Sequence, residues 1–184
     1  MNDKKANNLI VIENGQLKVY PLDDKVEWEV GRSSPNNVPD IRFQSVTVSR
    51  KHGKFQNMDG MWFYIDYNGK NGTVYNHRHL EKGLRGNVKP VPLGDGDVFV
   101  FGGGREEVIN HKTVWCMFCE KEVEENWRVN DSKGFSKLSF VSGGKTNVFT
   151  GPDKGTVVKG ENGIAIYMGD LTYVSGDMQV IGEN

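Results

Sequence analysis

The sequence predicts an all-β chain, and three observations carry that reading. Glycine fills 23 of 184 positions, about one in eight where roughly 7% is usual, and the excess falls between short apolar runs. Some of those runs alternate with charge, as Val26, Trp28 and Val30 do, which is the period of a half-buried strand. Asn-Gly pairs supply the turns, at Asn14-Gly15, Asn68-Gly69 and Asn71-Gly72. Glycine has no Cβ to clash at positive φ, and asparagine tolerates that geometry.

Taken in order, residues 1–8 are a polar tail expected to fray. Lacking serine, threonine and tyrosine, the tail cannot carry a regulatory phosphate. Leu9-Ile10-Val11-Ile12 and Gln16-Leu17-Lys18-Val19-Tyr20 flank Asn14-Gly15 as a hairpin. The Val26–Trp28–Val30 strand stops at Gly31-Arg32, and Ser33 to Pro39 is loop. Ile41-Arg42-Phe43 resumes as a short strand before a second polar loop, Ser45 to His52. Lys54-Phe55-Gln56 then runs out to the turn Asn57-Met58-Asp59-Gly60, and Met61 to Ile65 runs back. That path places the loop holding Ser49 and the loop holding Asn71 at one end of a sheet. Arg50, Lys51 and Lys70 gather there, with no acid expected closer than Asp66. A hydroxyl, an arginine and the amides of a glycine turn suit an anion with several acceptor oxygens, such as phosphate.

Length and charge bound the alternatives. A chain of 184 residues holds one domain with an extension, or two small domains. With 23 basic and 24 acidic residues, the net charge of −1 gives no bulk argument for nucleic acid or membrane. No apolar run approaches the ~20 residues of a membrane span and no apolar signal core opens the chain, so it is expected to be soluble and cytoplasmic. Cys116 and Cys119 lie in a strand-like run, and residues three apart on a strand face opposite sides. Two free thiols are therefore expected, with neither metal nor redox chemistry.

Gly31-Arg32, then Ser49-Arg50-Lys51-His52, then Asn71-Gly72-Thr73 with Asn76 resemble the pattern of the forkhead-associated (FHA) domain. Asp40-Ile41 and the stretch from Gly94 to Gly102 fall in the family's order as well. The resemblance covers residues 9–120 and implies an eleven-stranded β-sandwich that binds phosphothreonine peptides through loops at one end. By that resemblance Arg32 and Arg50 contact the phosphate and Ser49 donates its hydroxyl to it. Asn71 would hold the peptide backbone, with Lys70 beside it in a place often taken by a smaller hydroxyl residue. Gly31, His52, Gly72, Thr73 and Asn76 would shape the loops. The resemblance further implies a non-catalytic monomer with no cofactor or metal. Its partner would be a phosphothreonine-containing protein, a kinase or a kinase substrate. The residues flanking the phosphothreonine would meet Gln44 to Val48 and residues 76–83.

Other motifs lead nowhere. Gly143-Gly144-Lys145-Thr146 echoes a nucleotide loop, but Ser139 stands where its first glycine belongs and no helix follows. Asp66, Asn68 and Lys70 begin like a calcium loop and then break the pattern. His77 and His79 are expected exposed on a loop beside Arg78 and Arg85. No serine, histidine and acid fall in a catalytic motif. After Cys119, residues 121–126 form a charged linker, and residues 127–184 a small all-β meander with Gly-Asp turns. About sixty residues seldom bury enough surface alone, so this part is expected to pack on the sandwich or on a partner as a docking extension. Two functions compete with phosphothreonine binding. One is a scaffold acting through this extension whatever the phosphorylation state. The other is nucleic-acid binding through Arg32, Arg50, Lys51, Lys54 and Lys70.

Overall fold

A computed structural model of the chain describes residues 6–81, 89–123, 126–133 and 135–183. It divides into two compact units, Met1–Val123 and Glu124–Asn184. Residues 1–5 of the expected tail, Glu124 and Glu125 of the linker, Arg85, and residues 82 and 83 of the flanking segment lie outside the described residues.

The first unit is a sandwich of two sheets. Strands β1 (Asn8–Glu13), β2 (Gln16–Pro21), β7 (Thr73–Tyr75), β8 (Arg78–His79), β10 (Val98–Phe101) and β11 (Val114–Cys119) form one, in the order β2-β1-β11-β10-β7-β8. Strands β3 (Glu27–Arg32), β4 (Ile41–Phe43), β5 (Gly53–Met58), β6 (Met61–Asp66) and β9 (Val91–Pro92) form the other, in the order β4-β3-β5-β6-β9. Among the described residues, only β3 and β4 pair in parallel. Leu9, Val11, Phe99, Phe101 and Cys116 from the first sheet meet Trp28, Val30, Phe43, Phe55 and Tyr64 from the second in one core. Phe99 packs edge-on to Phe55, with ring centroids 5.6 Å apart and planes at 90°. That arrangement sets a ring's positive edge on a negative face.

Local chemistry accounts for the elements. Asn14 (φ 47°) and Gly15 (φ 79°) close the β1–β2 hairpin, and Asp59 and Gly60 close β5–β6 in the same left-handed region. Val26 lies just outside β3 and is 68% exposed, so the buried alternation begins at Trp28. The tail needs correction. Asn8 starts β1 and is buried, while the Asn7 backbone and side-chain amides both donate to Asp23, at 2.9 and 3.0 Å. Cys116 and Cys119 are buried and not joined in a disulfide, and burial, with Glu13 adding to it, pushes the Cys116 thiol well above its ordinary pKa.

The second unit has its own core, with Leu138, Phe140, Val158, Ala165, Tyr167, Val174 and Met178. It is more than a meander. Strands β12 (Arg128–Asp131), β15 (Thr156–Lys159), β16 (Ile164–Tyr167) and β17 (Leu171–Val174) pair in the order β12-β17-β16-β15. Strands β13 (Lys137–Ser142), β14 (Lys145–Thr150) and β18 (Gln179–Glu183) form a separate sheet, β14-β13-β18. The Gly143-Gly144 pair closes the β13–β14 hairpin, both residues at positive φ.

Candidate functional site

The β5–β6 hairpin returns the chain to the end it left, so segments 44–52 and 66–72 become neighbours. The Lys70 amide donates to Ser49 Oγ at 3.2 Å, and Asn71 Nδ2 donates to the Thr47 carbonyl at 2.8 Å. Arg32, at the end of β3, joins them from the other side. Its amide donates to the Ser49 carbonyl at 3.0 Å, and its Nε to the Val48 carbonyl at 3.1 Å. The two arginine segments are held by one side chain: Asn37 Nδ2 donates to the carbonyls of Arg50 (2.7 Å) and Arg32 (3.1 Å). Gly31 permits this approach, because a Cβ there would overlap the Arg50 carbonyl oxygen. The chain segments that carry Arg32, Ser49, Arg50, Lys70 and Asn71 are thus tied to one another.

What these groups offer follows from what they already do. Ser49 Oγ accepts a hydrogen bond, which leaves its own proton without a partner among the described residues. The terminal nitrogens of Arg32, the Arg50 guanidinium and the Lys70 ammonium have none there either. The arrangement is a donor set facing outward, with three full positive charges and a hydroxyl.

Behind Ser49 runs a buried polar chain. The Ser49 amide donates to His52 Nδ1 at 3.2 Å, so the ring carries its proton on Nε2. That nitrogen donates to Thr73 Oγ1 (2.9 Å) and to the Gly72 carbonyl (3.1 Å). The Thr73 hydroxyl donates to Asp66 Oδ1 at 2.7 Å, which also accepts from the Tyr64 hydroxyl at 2.8 Å. His52 and Thr73 are wholly buried. Burial pushes the His52 pKa below its ordinary value, and the Asp66 charge, which acts the other way, does not restore it. A neutral imidazole is what the Ser49 bond requires, since a protonated Nδ1 could not accept.

The Asn71-Gly72 turn takes its positive φ at Gly72 (71°), whereas the Asn68-Gly69 pair takes it at Asn68 (60°). Gly69 is small for another reason: a Cβ would stand 2.8 Å from Ser49 Oγ and 2.9 Å from His52 Nδ1. Asn76 ties β7 to β10, donating to Asp97 Oδ1 at 3.0 Å and accepting from the Val98 amide at 2.8 Å.

Two expectations change. Asp66, which lines a cleft with Lys70, is joined by further acids: Glu81 lines that same cleft with Arg105, and Glu29 shares another of about 320 Å³ with Arg50 and Lys51. Glu29 accepts the Tyr67 hydroxyl at 3.0 Å; burial, reinforced by that carboxylate, pushes the phenol pKa up. The histidines also differ from each other. His77 is exposed and lies 2.6 Å from Glu107, while His79 sits half-buried on β8. Asn37 and Glu29 were not marked by the sequence, and an asparagine in a proline-bounded loop carries no pattern that would mark it. Among the described residues no three His, Cys, Asp or Glu side chains are placed to hold a metal, and no helix is long and apolar enough to cross a membrane.

The first unit is a two-sheet β-sandwich with these loops gathered at one end. Residues 28–102 match the family model described as FHA domain; the chain carries a forkhead-associated domain. Several solved structures are similar. Yeast Pml1, a splicing factor, is 22% identical over 64% of this chain and 80% of its own, with a TM-score of 0.49. The FHA domain of CT664 from Chlamydia trachomatis is 21% identical over 64% and 99%, with a TM-score of 0.48. Mycobacterium tuberculosis EmbR, solved with a low-affinity phosphopeptide, is 18% identical over 66% of this chain and 26% of its own, with a TM-score of 0.46. No curated protein matches the chain in sequence.

Proposed function

We propose that residues 9–120 bind phosphothreonine in a partner protein without catalysing a reaction, as a module of serine/threonine kinase signalling acting in the cytoplasm as a monomer. The partner is a kinase or a kinase substrate. One observation carries this reading: Arg32 and Ser49, far apart in sequence, are joined at 3.0 Å through their backbones, with the hydroxyl proton of Ser49 left to donate. Arg32 and Arg50 meet the phosphate oxygens, Ser49 supplies a neutral donor, and Asn71 with Lys70 holds the peptide alongside. Gly31, His52, Gly72, Thr73 and Asn76 keep the loops in place.

A phosphothreonine brings about −1.5 to −2 charge and three acceptor oxygens. Hydrogen bonds to charged groups contribute roughly 1.5–3 kcal/mol each, enough to make the phosphate a condition for binding. The extra methyl of threonine over serine adds about 0.8 kcal/mol if buried. Titration with matched peptides tests the reading: the phosphorylated form binds and the unmodified one does not. Equal binding of both, or binding that survives Arg32→Ala, overturns it.

A second reading, docking through residues 127–184 whatever the phosphorylation state, is favoured by one feature. Val148 and Ile181 both pair with Ser139 across the β14-β13-β18 sheet, and each is 51% exposed. Under that reading a partner protein binds Val148→Lys poorly and Arg32→Ala normally.

A further inference from the structure

The four sheets of the described residues end in eight outer strands, and of these only β2 and β14 run to six residues. An outer strand presents unpaired amides and carbonyls on which another chain can build, and proline or a central charge is a common defence. Strand β2 carries both, with Lys18 at mid-strand and Pro21 at its end. Strand β14 has no proline, and its one charge is Lys145 at the first position. Five of its six residues are exposed.

The β13–β14 turn fixes which groups face out. Gly143 (φ 57°) and Gly144 (φ 78°) form a two-residue turn, so Ser142 and Lys145 on either side exchange the first ladder hydrogen bonds. Bonding then alternates along the strand. Asn147 and Phe149 also bond inward to β13, while Thr146, Val148 and Thr150 turn amide and carbonyl away from it. No further strand pairs on that side among the described residues. The same three residues are β-branched and share one sheet face, the side-chain type on which a neighbouring strand packs well.

We propose that the outer edge of β14 takes up an extended segment of a partner protein as an added antiparallel strand. The segment has apolar or β-branched residues at alternate positions and a carboxylate toward its C-terminal end. Antiparallel pairing sets that end beside Lys145, which is exposed and in no ion pair among the described residues. Glu161 abuts the turn at Gly143, so the charge preference is modest and main-chain bonds carry the affinity. A second copy of the chain fits less well. With Val148 opposite its own counterpart, Lys145 meets Gly151 and no acid. One strand pair also covers much less than the roughly 800 Å² per partner of a stable interface. The inference rests on docking through residues 127–184 and not on the phosphothreonine seat.

The test uses the full chain and a short acetylated peptide that alternates threonine and valine and ends in glutamate. Amide hydrogen exchange is followed residue by residue by NMR. In the chain alone, Thr146, Val148 and Thr150 are expected to exchange fast, and Asn147 and Phe149 slowly. With the peptide, the three fast amides are expected to slow about tenfold or more. Replacing the terminal glutamate by lysine should weaken binding about two- to threefold, a difference lost at high salt. Thr146→Pro removes one outward amide without touching the β13 ladder, and should abolish protection at Val148 and Thr150. Thr150→Pro repeats the test from the other end should the first variant not fold. Arg32→Ala should bind the peptide normally. Protection that survives a folded proline variant overturns the inference. Protection that arises without peptide and grows with protein concentration makes a second copy the occupant, and overturns it too. No protection at the three amides overturns the edge alone and leaves docking by the sheet face, which Val148→Lys tests separately.

Discussion

The two sides of Ser49 are built on opposite principles. Behind it, His52, Thr73 and Asp66 are buried and joined in a continuous hydrogen-bonded chain. In front, Arg32, Arg50 and Lys70 bring charge to the surface with their head groups largely unengaged. The rear gives the seat its shape without any ligand, and it does so with a neutral histidine. The front supplies charge that stays near solvent, where holding like charges together costs little. Shape and charge are therefore separable, and substitutions should sort accordingly.

The largest effect is expected at the rear. Gly31→Ala drives a Cβ into the Arg50 carbonyl, where backbone rather than a flexible side chain must yield. A loss of at least about 3 kcal/mol in denaturant unfolding is expected, with binding lost as the loops part. At the front, the proposed function has Arg32 meet the phosphate, so Arg32→Ala should weaken phosphopeptide binding about a hundredfold or more. Its melting point should move little, since only the Nε bond to Val48 is lost from the fold. An unfolded Arg32→Ala would erase the distinction between the two sides. Thr73→Val keeps the volume but strips the hydroxyl between His52 and Asp66; a cost of about 1–3 kcal/mol is expected in stability, with affinity falling only as the Ser49 loop loosens.

Acidification probes the rear alone. Burial has lowered the His52 pKa from its usual 6.5, so the unfolded chain takes up the proton first. The stabilising contribution is complete above pH 6.5 and is lost as pH falls from there toward the depressed folded value. Unfolding midpoints across that window, beside the His52 ring resonances, check the direction; a midpoint that rises on acidification contradicts it. The smallest effect is expected from Lys70→Ala, with exposed charge and no shape: about two- to fivefold in affinity, erased by salt.

How much of this was legible depended on what signals a residue emits locally. The β1–β2 hairpin was readable because Asn14-Gly15 favours its turn by itself, and β5–β6 because an out-and-back path needs only two strands and a turn. From that path alone the meeting of the Ser49 and Asn71 loops could be argued. The strands β12 and β14 were missed, since their residues are almost all exposed and show no apolar alternation. The tail was misjudged at Asn7 and Asn8 because polar composition suggests fraying, and nothing nearby shows that Asp23 holds both Asn7 amides. Asn37 escaped for a similar reason: its two acceptors, at Arg32 and Arg50, come together only in the folded chain.

The sequence alone determined where the Asn-Gly turns fall, that the apolar alternating runs are strands and which residue types crowd one end of the sheet. These follow from sterics and burial period within a few neighbouring residues. Tertiary structure decided which proton of the Ser49–His52 pair is free, where Glu29 and Glu81 stand among the cations, and that the second unit makes two sheets. Each of those depends on atoms many positions apart coming within a few ångströms, and no local pattern encodes that.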